Sequence, residues 1–118
     1  VLGFVCNMHE LMSASDLGIA KPGGATTCES LVKKLPMVII APIPGQESYN
    51  AKWLVRHRAA VRIKKPGGVK ELVSRFLMQP ARLTELQRSI GKIAKGKAAS
   101  DLVDLALKEL DSLAREAP

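Results

Sequence analysis

The sequence predicts an α/β fold in which a parallel sheet is flanked by helices. Short apolar runs of strand length alternate with segments of helical periodicity up to residue 63, and only helical patterns follow. Prolines and glycines separate most of these segments. This order is typical of a parallel sheet, because consecutive parallel strands need a crossover connection between them, which is usually a helix.

Four apolar runs are predicted to be the strands. They occupy residues 1–5, 16–20, 37–41 and 59–63. Pro36 and Pro42 bound the third run, since proline interrupts strand pairing. Parallel strands are normally paired on both sides. We therefore expect these four strands to be the second half of a larger doubly wound domain that is truncated at its N-terminal side. Such a cut would expose a strand edge at residues 1–5, through which copies are expected to associate.

The remaining segments are predicted to be helices. Helical periodicity marks residues 6–15 and 26–34, the segment after residue 45, and residues 69–78, 82–94 and 98–114. The last segment places Leu102, Ala106, Leu110 and Leu113 in one apolar stripe. We expect one partial domain over residues 1–118, with alternating strands and helices over 1–63 and C-terminal helices over 64–118.

Composition restricts the class of protein. The 118 residues make about one small domain, and no apolar run reaches the roughly 20 residues of a membrane span. The N-terminus lacks the pattern of a signal peptide, and Cys6 and Cys28 have no disulfide-framework or zinc spacing. We therefore expect a cytoplasmic or organellar chain with reduced thiols.

The net charge of +7 indicates an anionic partner, and nucleic acid, acidic lipid and a phosphorylated ligand would each fit. The four aromatic residues are scattered, so the mixture of basic and aromatic residues typical of single-strand binders is absent. The cations gather in residues 33–34, 56–58, 62–65 and 88–97. Solvated helix faces and a docking surface are both open interpretations of these clusters.

Three loops follow predicted strands, at residues 6–9, 21–27 and 42–47, where open parallel sheets bind ligands. In the second loop, Gly23 and Gly24 would let a ligand approach the backbone amides at a helix start. The hydroxyls of Thr26 and Thr27 and the cation of Lys21 would complete a phosphate cradle.

A structural explanation of the same loop remains open. Thr26 and Glu29 have the spacing of a capping box, which would only start the helix. Neither the dinucleotide-binding glycine pattern nor a P-loop is present.

The third loop adds Gln46, Glu47 and Asn50 at the start of a helix, where capping needs only one polar group. Amide and carboxylate groups on a stiff loop suit recognition of sugar hydroxyls, although a rigid, capped helix start would have the same residues. His9 and His57 are isolated, so no metal site is predicted. Nor does any nucleophile, base and orienting group come together, so no catalytic residue is predicted.

Three stretches together are specific enough to indicate a family. They are "KPGGATTCE" at residues 21–29, "LPM" at 35–37 and "PIPGQESYNA" at 42–51. Residues 3–60 resemble the nucleotide-sugar half of glycosyltransferase family 28, especially the branch with monogalactosyldiacylglycerol synthases and processive diacylglycerol glucosyltransferases. The resemblance implies a GT-B fold, in which two Rossmann-like domains face each other and the C-terminal one holds the UDP-sugar.

The resemblance also implies which positions bind the donor. They are Phe4, Val5, Lys21, Gly23, Gly24, Ala25, Thr26, Thr27, Glu29, Gln46, Glu47 and Asn50. Main-chain groups near residues 4–5 would meet the uracil, residues 23–27 would surround the diphosphate, and Lys21 would lie near the donor. Glu29 would bind the ribose, and Gln46 with Glu47 the transferred hexose. Asn50 matches the motif without an assigned role.

The implied reaction is inverting transfer of galactose or glucose from UDP to a diacylglycerol-type lipid, with no metal directly required and no cofactor besides the donor. The base and acceptor site would lie in an N-terminal domain, so this chain alone should be inactive. The basic clusters would suit peripheral membrane contact, and no nucleic-acid partner is expected. The alternatives are transfer of N-acetylglucosamine to a cell-wall lipid precursor and a non-catalytic nucleotide-binding module.

The sequence departs from the family pattern at three places. Lys33 and Lys34 stand where a small residue and a glycine usually precede "LPM", and His57 with Arg58 replaces the usual glycine before Ala59. The helix before "LPM" would then end without its glycine cap, and the change at residues 57–58 would alter the turn or add a basic spot. Cys28 stands where a serine or alanine is usual.

Overall fold

Helices and short strands alternate along the chain as far as residue 62, and helices follow. A computed structural model describes residues 2–116. The elements are α1 (Met8–Ser13), β1 (Gly18–Ala20), α2 (Gly24–Val32), β2 (Met37–Ile39), α3 (Gln46–Arg56), β3 (Ala60–Arg62), a 3₁₀ turn (Pro66–Gly68), α4 (Val69–Met78), α5 (Ala81–Ile93) and α6 (Ala98–Glu116). The α/β fold predicted from the sequence is confirmed.

The sheet is parallel, with strand order β1-β2-β3. Met37 of the central strand lies between Gly18 and Ala60 in the register. Every residue of β2 is buried, as expected for a central parallel strand that is covered on both faces. Because the strands are parallel, the loops that follow β1 and β2 leave from the same edge of the sheet.

The hydrophobic core joins the sheet to the helices on one side. Met37 and Ile39 of β2 pack with Leu54 of α3 and Ile90 of α5, and each is at most 2% exposed. Leu31 of α2 packs against this cluster. Burying a side chain of this size contributes about 1.5–3 kcal/mol, so these contacts hold α3 and α5 against the sheet.

The strand predicted at residues 1–5 is wrong for residues 2–5, and Val1 lies outside the described residues. Residues 2–5 are irregular, and Leu2 and Phe4 are 68% and 98% exposed. The described sheet therefore has three strands, with β1 and β3 at its edges. The self-association predicted through an edge at residues 1–5 loses its structural basis, because an apolar run is a strand only where another strand pairs with it.

Two helices end in the same hydrogen-bonded turn without the usual glycine. After α2, Lys34 N–H donates to the Leu31 carbonyl and Leu35 N–H donates to the Ser30 carbonyl, at 3.1 and 2.8 Å. This is a Schellman motif, which normally has glycine at the position of Lys34. Lys34 has a φ of 53°, and Arg58, at the equivalent position after α3, has a φ of 54°.

Helix α6 differs from the other long helices because every described side chain over residues 98–115 is exposed. Six large apolar side chains of α6 are between 55% and 67% exposed. They are Leu102, Val103, Leu105, Leu107, Leu110 and Leu113. No helix within residues 2–116 combines the length and the apolarity needed to cross a membrane.

Candidate functional site

The glycine loop after β1 leads directly into helix α2. The helix begins at Gly24, with Gly23 as its N-cap and no side-chain cap bond. The capping box predicted for Thr26 and Glu29 is therefore wrong, because Thr26 already lies in the first helical turn. The two polar side chains are not used to start the helix.

Three backbone amides at this helix start have no acceptor among the described residues. The first intrahelical bond is donated by the Thr27 amide to the Gly23 carbonyl at 2.9 Å. The amides of Gly24, Ala25 and Thr26 precede it and have no partner within residues 2–116. Unpaired N–H groups and the positive end of the helix dipole together favour an anion at this position.

The two glycines are not required by the backbone or by crowding. Gly23 has φ −63° and ψ 164°, which any residue adopts, and a Cβ on it would meet nothing within 4 Å. A Cβ on Gly24 would meet only the Gln46 Nε2 at 3.5 Å, an ordinary contact. The open space beside Gly23 is available to a ligand, and the contact at Gly24 shows that the Gln46 side chain lies next to the start of α2.

A hydrogen bond joins the second and third loops. The Asn50 side-chain amide donates to the Pro22 carbonyl at 2.9 Å in a partly buried position, across 28 residues of sequence. It connects the first half of α3 to the residue just before the glycine pair. The starts of α2 and α3 are therefore held together.

The third loop is stiffened by its own polar groups. Gly45 has a φ of 100°, a conformation that favours glycine. The Ile43 N–H donates to Glu47 Oε2 at 2.8 Å, and the Ser48 hydroxyl donates to the Ile43 carbonyl at 3.1 Å. One carboxylate oxygen of Glu47 is thus used within the loop, and its other oxygen has no hydrogen-bond partner among the described residues.

The other residues predicted for this site differ in exposure. Lys21 and Glu29 are exposed, on either side of the free amides in the sequence. Thr27 is 8% exposed, and its buried hydroxyl has no hydrogen-bond partner in the described structure. Since its amide is also bonded, Thr27 offers a ligand no donor at the surface.

Phe4 and Val5 are not joined to the other loops by any hydrogen bond within residues 2–116. Two contributors were missed by sequence reasoning, namely the Pro22 carbonyl and the Ile43 amide. They act through the main chain, which leaves no side-chain signature in a sequence. The described residues contain no cluster of three His, Cys, Asp or Glu side chains suited to a metal ion.

Comparison with known proteins identifies the family. Residues 1–106 match the family model described as the glycosyltransferase family 28 C-terminal domain. This chain belongs to glycosyltransferase family 28. The resemblance inferred from the three sequence motifs is confirmed, and the fold is that of the C-terminal part of a GT-B glycosyltransferase.

Relatives and a solved structure agree with this assignment. The chain is 31% identical over 109 residues to a processive diacylglycerol beta-glucosyltransferase of Bacillus cytotoxicus. It is 33% identical to the same enzyme of Bacillus cereus strain AH187. Each alignment covers 92% of this chain but only 28% of the relative. A crystal structure of the glycotransferase of kitacinnamycin matches 83% of the chain, with 25% identity and a TM-score of 0.59, and 27% of that protein is covered.

Proposed function

We propose that this chain binds the UDP-sugar donor of an inverting hexosyltransferase at the starts of α2 and α3. The observation that carries the proposal is the group of unpaired amides at Gly24, Ala25 and Thr26, next to a loop bonded to Asn50. A diphosphate suits these amides because it accepts several N–H bonds and is stabilised by the helix dipole. The open space beside Gly23 supports close approach of its oxygens.

The remaining groups of the donor would meet residues further from the amides. Glu29 is exposed and lies one turn into α2, and its carboxylate would accept hydrogen bonds from both ribose hydroxyls. Gln46 and the free oxygen of Glu47 would bind the hexose hydroxyls. The main chain of Phe4 and Val5 would meet the uracil, and Lys21 would lie close to the diphosphate.

The reaction breaks the bond between the anomeric carbon and the UDP oxygen while an acceptor hydroxyl attacks from the opposite face of the sugar. The acceptor proton passes to a base, and the electron pair of the broken bond leaves with UDP. The amides at the start of α2 stabilise that developing charge, and oriented donors of this kind contribute several kcal/mol to catalysis. No metal or cofactor beyond the donor is invoked.

The acceptor is proposed from the relatives, which are named for diacylglycerol. We infer a diacylglycerol-type lipid as acceptor, and glucose or galactose as the transferred sugar. Because the chain spans 28% of each relative's length, the base and acceptor site are assigned to another part of a longer enzyme. That enzyme would be cytoplasmic or organellar and peripherally bound to a membrane, and this chain alone should transfer no sugar.

Calorimetric titration with UDP, UDP-glucose, UDP-galactose and UDP-N-acetylglucosamine tests the donor site. We expect the wild-type chain to bind UDP, and Glu29→Ala to weaken this binding by about tenfold or more, since a charged hydrogen-bond acceptor is lost. Glu109→Ala, on exposed α6, is the matched control and should bind UDP as the wild type does.

The order of sugar affinities then identifies the donor. Preference for UDP-glucose or UDP-galactose supports hexose transfer, whereas preference for UDP-N-acetylglucosamine replaces it with the cell-wall alternative. A folded wild-type chain that binds no uridine nucleotide, or equal binding by Glu29→Ala, contradicts the proposed site.

A further inference from the structure

Among residues 2–116, three residues other than glycine have a positive φ, and one of them lies in the loop after β2. Lys34 and Arg58, at 53° and 54°, belong to the turns that end α2 and α3. Ala41, with a φ of 36°, ends no helix. It follows strand β2 by two residues and precedes the loop that leads to Gln46 and Glu47.

Nothing local to Ala41 stabilises this conformation. Its side chain is exposed, and neither its N–H nor its carbonyl has a hydrogen bond to another described residue. A positive φ brings the Cβ of an L-residue close to the following carbonyl oxygen. The next residue is Pro42, whose ring restricts the residue before it to extended conformations with negative φ. Both penalties fall on one residue, so its conformation is imposed by the structure on either side.

On the upstream side, the chain is fixed to the sheet. The Ile40 N–H donates to the Ala20 carbonyl at 3.2 Å. Ile39 is 0% exposed, and its carbonyl accepts from the Ile63 N–H at 3.1 Å. Residues 39 and 40 therefore cannot follow a movement of the loop without breaking bonds to both neighbouring strands.

On the downstream side, the loop forms one unit with the start of α3. The Ile43 N–H donates to Glu47 Oε2 at 2.8 Å, and the Ile43 carbonyl accepts from the Ser48 N–H at 3.2 Å. Helix α3 is itself held by the bond from the Asn50 amide to the Pro22 carbonyl. The loop from residue 43 onward thus keeps its shape and moves only together with α3.

Ala41 and Pro42 connect these two fixed parts. The ring of Pro42 fixes its own φ, so the backbone of Ala41 sets most of the direction in which the loop leaves the sheet. That direction determines where Gln46 lies, whose Nε2 is 3.5 Å from the position of a Cβ on Gly24. Strained backbone persists where the surrounding structure over-determines it, and such residues cluster at ligand sites.

We propose that Ala41 is a positioning residue for the donor, whose positive φ sets the distance between the amides of α2 and the side chains of Gln46 and Glu47. The inference rests on the proposed function, which assigns the diphosphate to those amides and the hexose to those side chains. In this arrangement UDP alone does not use the third loop, whereas UDP-hexose spans both parts. A changed φ at residue 41 should therefore alter the ratio of UDP-hexose affinity to UDP affinity.

Calorimetric titration with UDP, UDP-glucose and UDP-galactose measures that ratio in four variants of Ala41. Ala41→Gly and Ala41→Asn should stay within about twofold of the wild-type ratio, because glycine and asparagine accept a positive φ. Ala41→Val should lower the ratio by about tenfold, since a β-branched residue forces the backbone to negative φ and withdraws two side chains from the hexose. Ala41→Leu should lose about threefold, and it carries the test if circular dichroism shows that Ala41→Val does not fold.

Lys34→Val is the matched control. Lys34 has a similar positive φ of 53°, but it lies in the turn after α2, outside the loops assigned to the donor. This substitution should lower stability to urea as Ala41→Val does, because the same strain is added. It should leave the affinity ratio unchanged, which separates a positioning role from a loss of stability.

Three results would overturn the inference. An unchanged ratio in a folded Ala41→Val would mean that the φ of residue 41 does not position the hexose site. Equal losses in the Gly, Asn and Val variants would assign the effect to the alanine methyl group instead of the backbone. A loss in Lys34→Val equal to that in Ala41→Val would assign it to stability.

The UDP titrations distinguish this inference from the proposed function. A folded wild-type chain that does not bind UDP contradicts the donor site itself, and the role of Ala41 with it. Any of the three results above, obtained while the wild type binds UDP, overturns only the role of Ala41.

Discussion

Helices α3 and α6 have the same kind of apolar pattern, but their apolar side chains differ strongly in exposure. In α3, Leu54 is 1% exposed and packs against the sheet, whereas in α6, Leu107 is 55% exposed. Both helices are amphipathic, yet only α3 connects two neighbouring strands and is thereby held against them. An amphipathic pattern therefore reports that a helix is able to bury one face, while contact with the rest of the fold decides whether it does.

The largest effect is expected when leucine is replaced by alanine once in each helix. Leu54→Ala should lower the free energy of unfolding by about 2–5 kcal/mol, because it leaves a cavity in the core. Leu107→Ala should change it by less than about 0.5 kcal/mol, as exposed positions usually do. Urea unfolding followed by circular dichroism measures both. A similar cost for the two would mean that α6 is packed in solution.

Two loop glycines should also differ in how much an alanine substitution costs in stability. Gly45→Ala should cost about 1–3 kcal/mol of stability, because its φ of 100° strains a residue with a side chain. Gly23→Ala should leave stability nearly unchanged, since its backbone is extended and its surroundings are open, but it should weaken UDP binding. Thermal unfolding and calorimetry separate the two effects. Unaltered UDP affinity in Gly23→Ala would argue against close approach of a diphosphate.

The bond between the loops can be removed almost isosterically. Asn50→Asp replaces the amide donor by a carboxylate that repels the Pro22 carbonyl, so we expect about 1–3 kcal/mol of lost stability. The additional affinity of UDP-hexose over UDP should also fall, because Gln46 and Glu47 lose their fixed position relative to α2. Gln79→Glu is a matched amide-to-acid control at an exposed position. Calorimetry with both ligands checks the result, and an unchanged affinity ratio would leave Asn50 only a folding role.

The smallest expected effect is a gain in stability. Lys34→Gly should stabilise the fold by about 0.5–1 kcal/mol, because glycine adopts the φ of 53° without the steric cost borne by lysine. Lys33→Gly, where φ is −78°, should destabilise it by a similar amount. Chemical unfolding of both variants measures the difference. Destabilisation by Lys34→Gly would mean that the lysine side chain makes a contact that compensates its strained backbone.

The site was predictable to the extent that its chemistry lies in side chains. The sequence predicts ligand loops at residues 21–27 and 42–47, and the structure joins the first loop to the helix that follows the second through the Asn50 bond to Pro22. The capping box failed because α2 begins two residues earlier than predicted, at Gly24. A capping pattern specifies only local hydrogen bonds, and here the helix has already begun at Gly24, so Thr26 lies inside its first turn.

The sequence by itself determined the order of strands and helices from residue 6 onward and several of their bounds, such as α4 at Val69–Met78, because periodicity and helix-breaking residues act over a few positions. Only the tertiary structure decided that residues 2–5 remain irregular, that α6 stays exposed and that Asn50 bonds to Pro22. Each of these depends on what lies across the fold. Strand pairing, burial and long-range hydrogen bonds take their free energy from neighbours that are distant in sequence, and no local pattern specifies those neighbours.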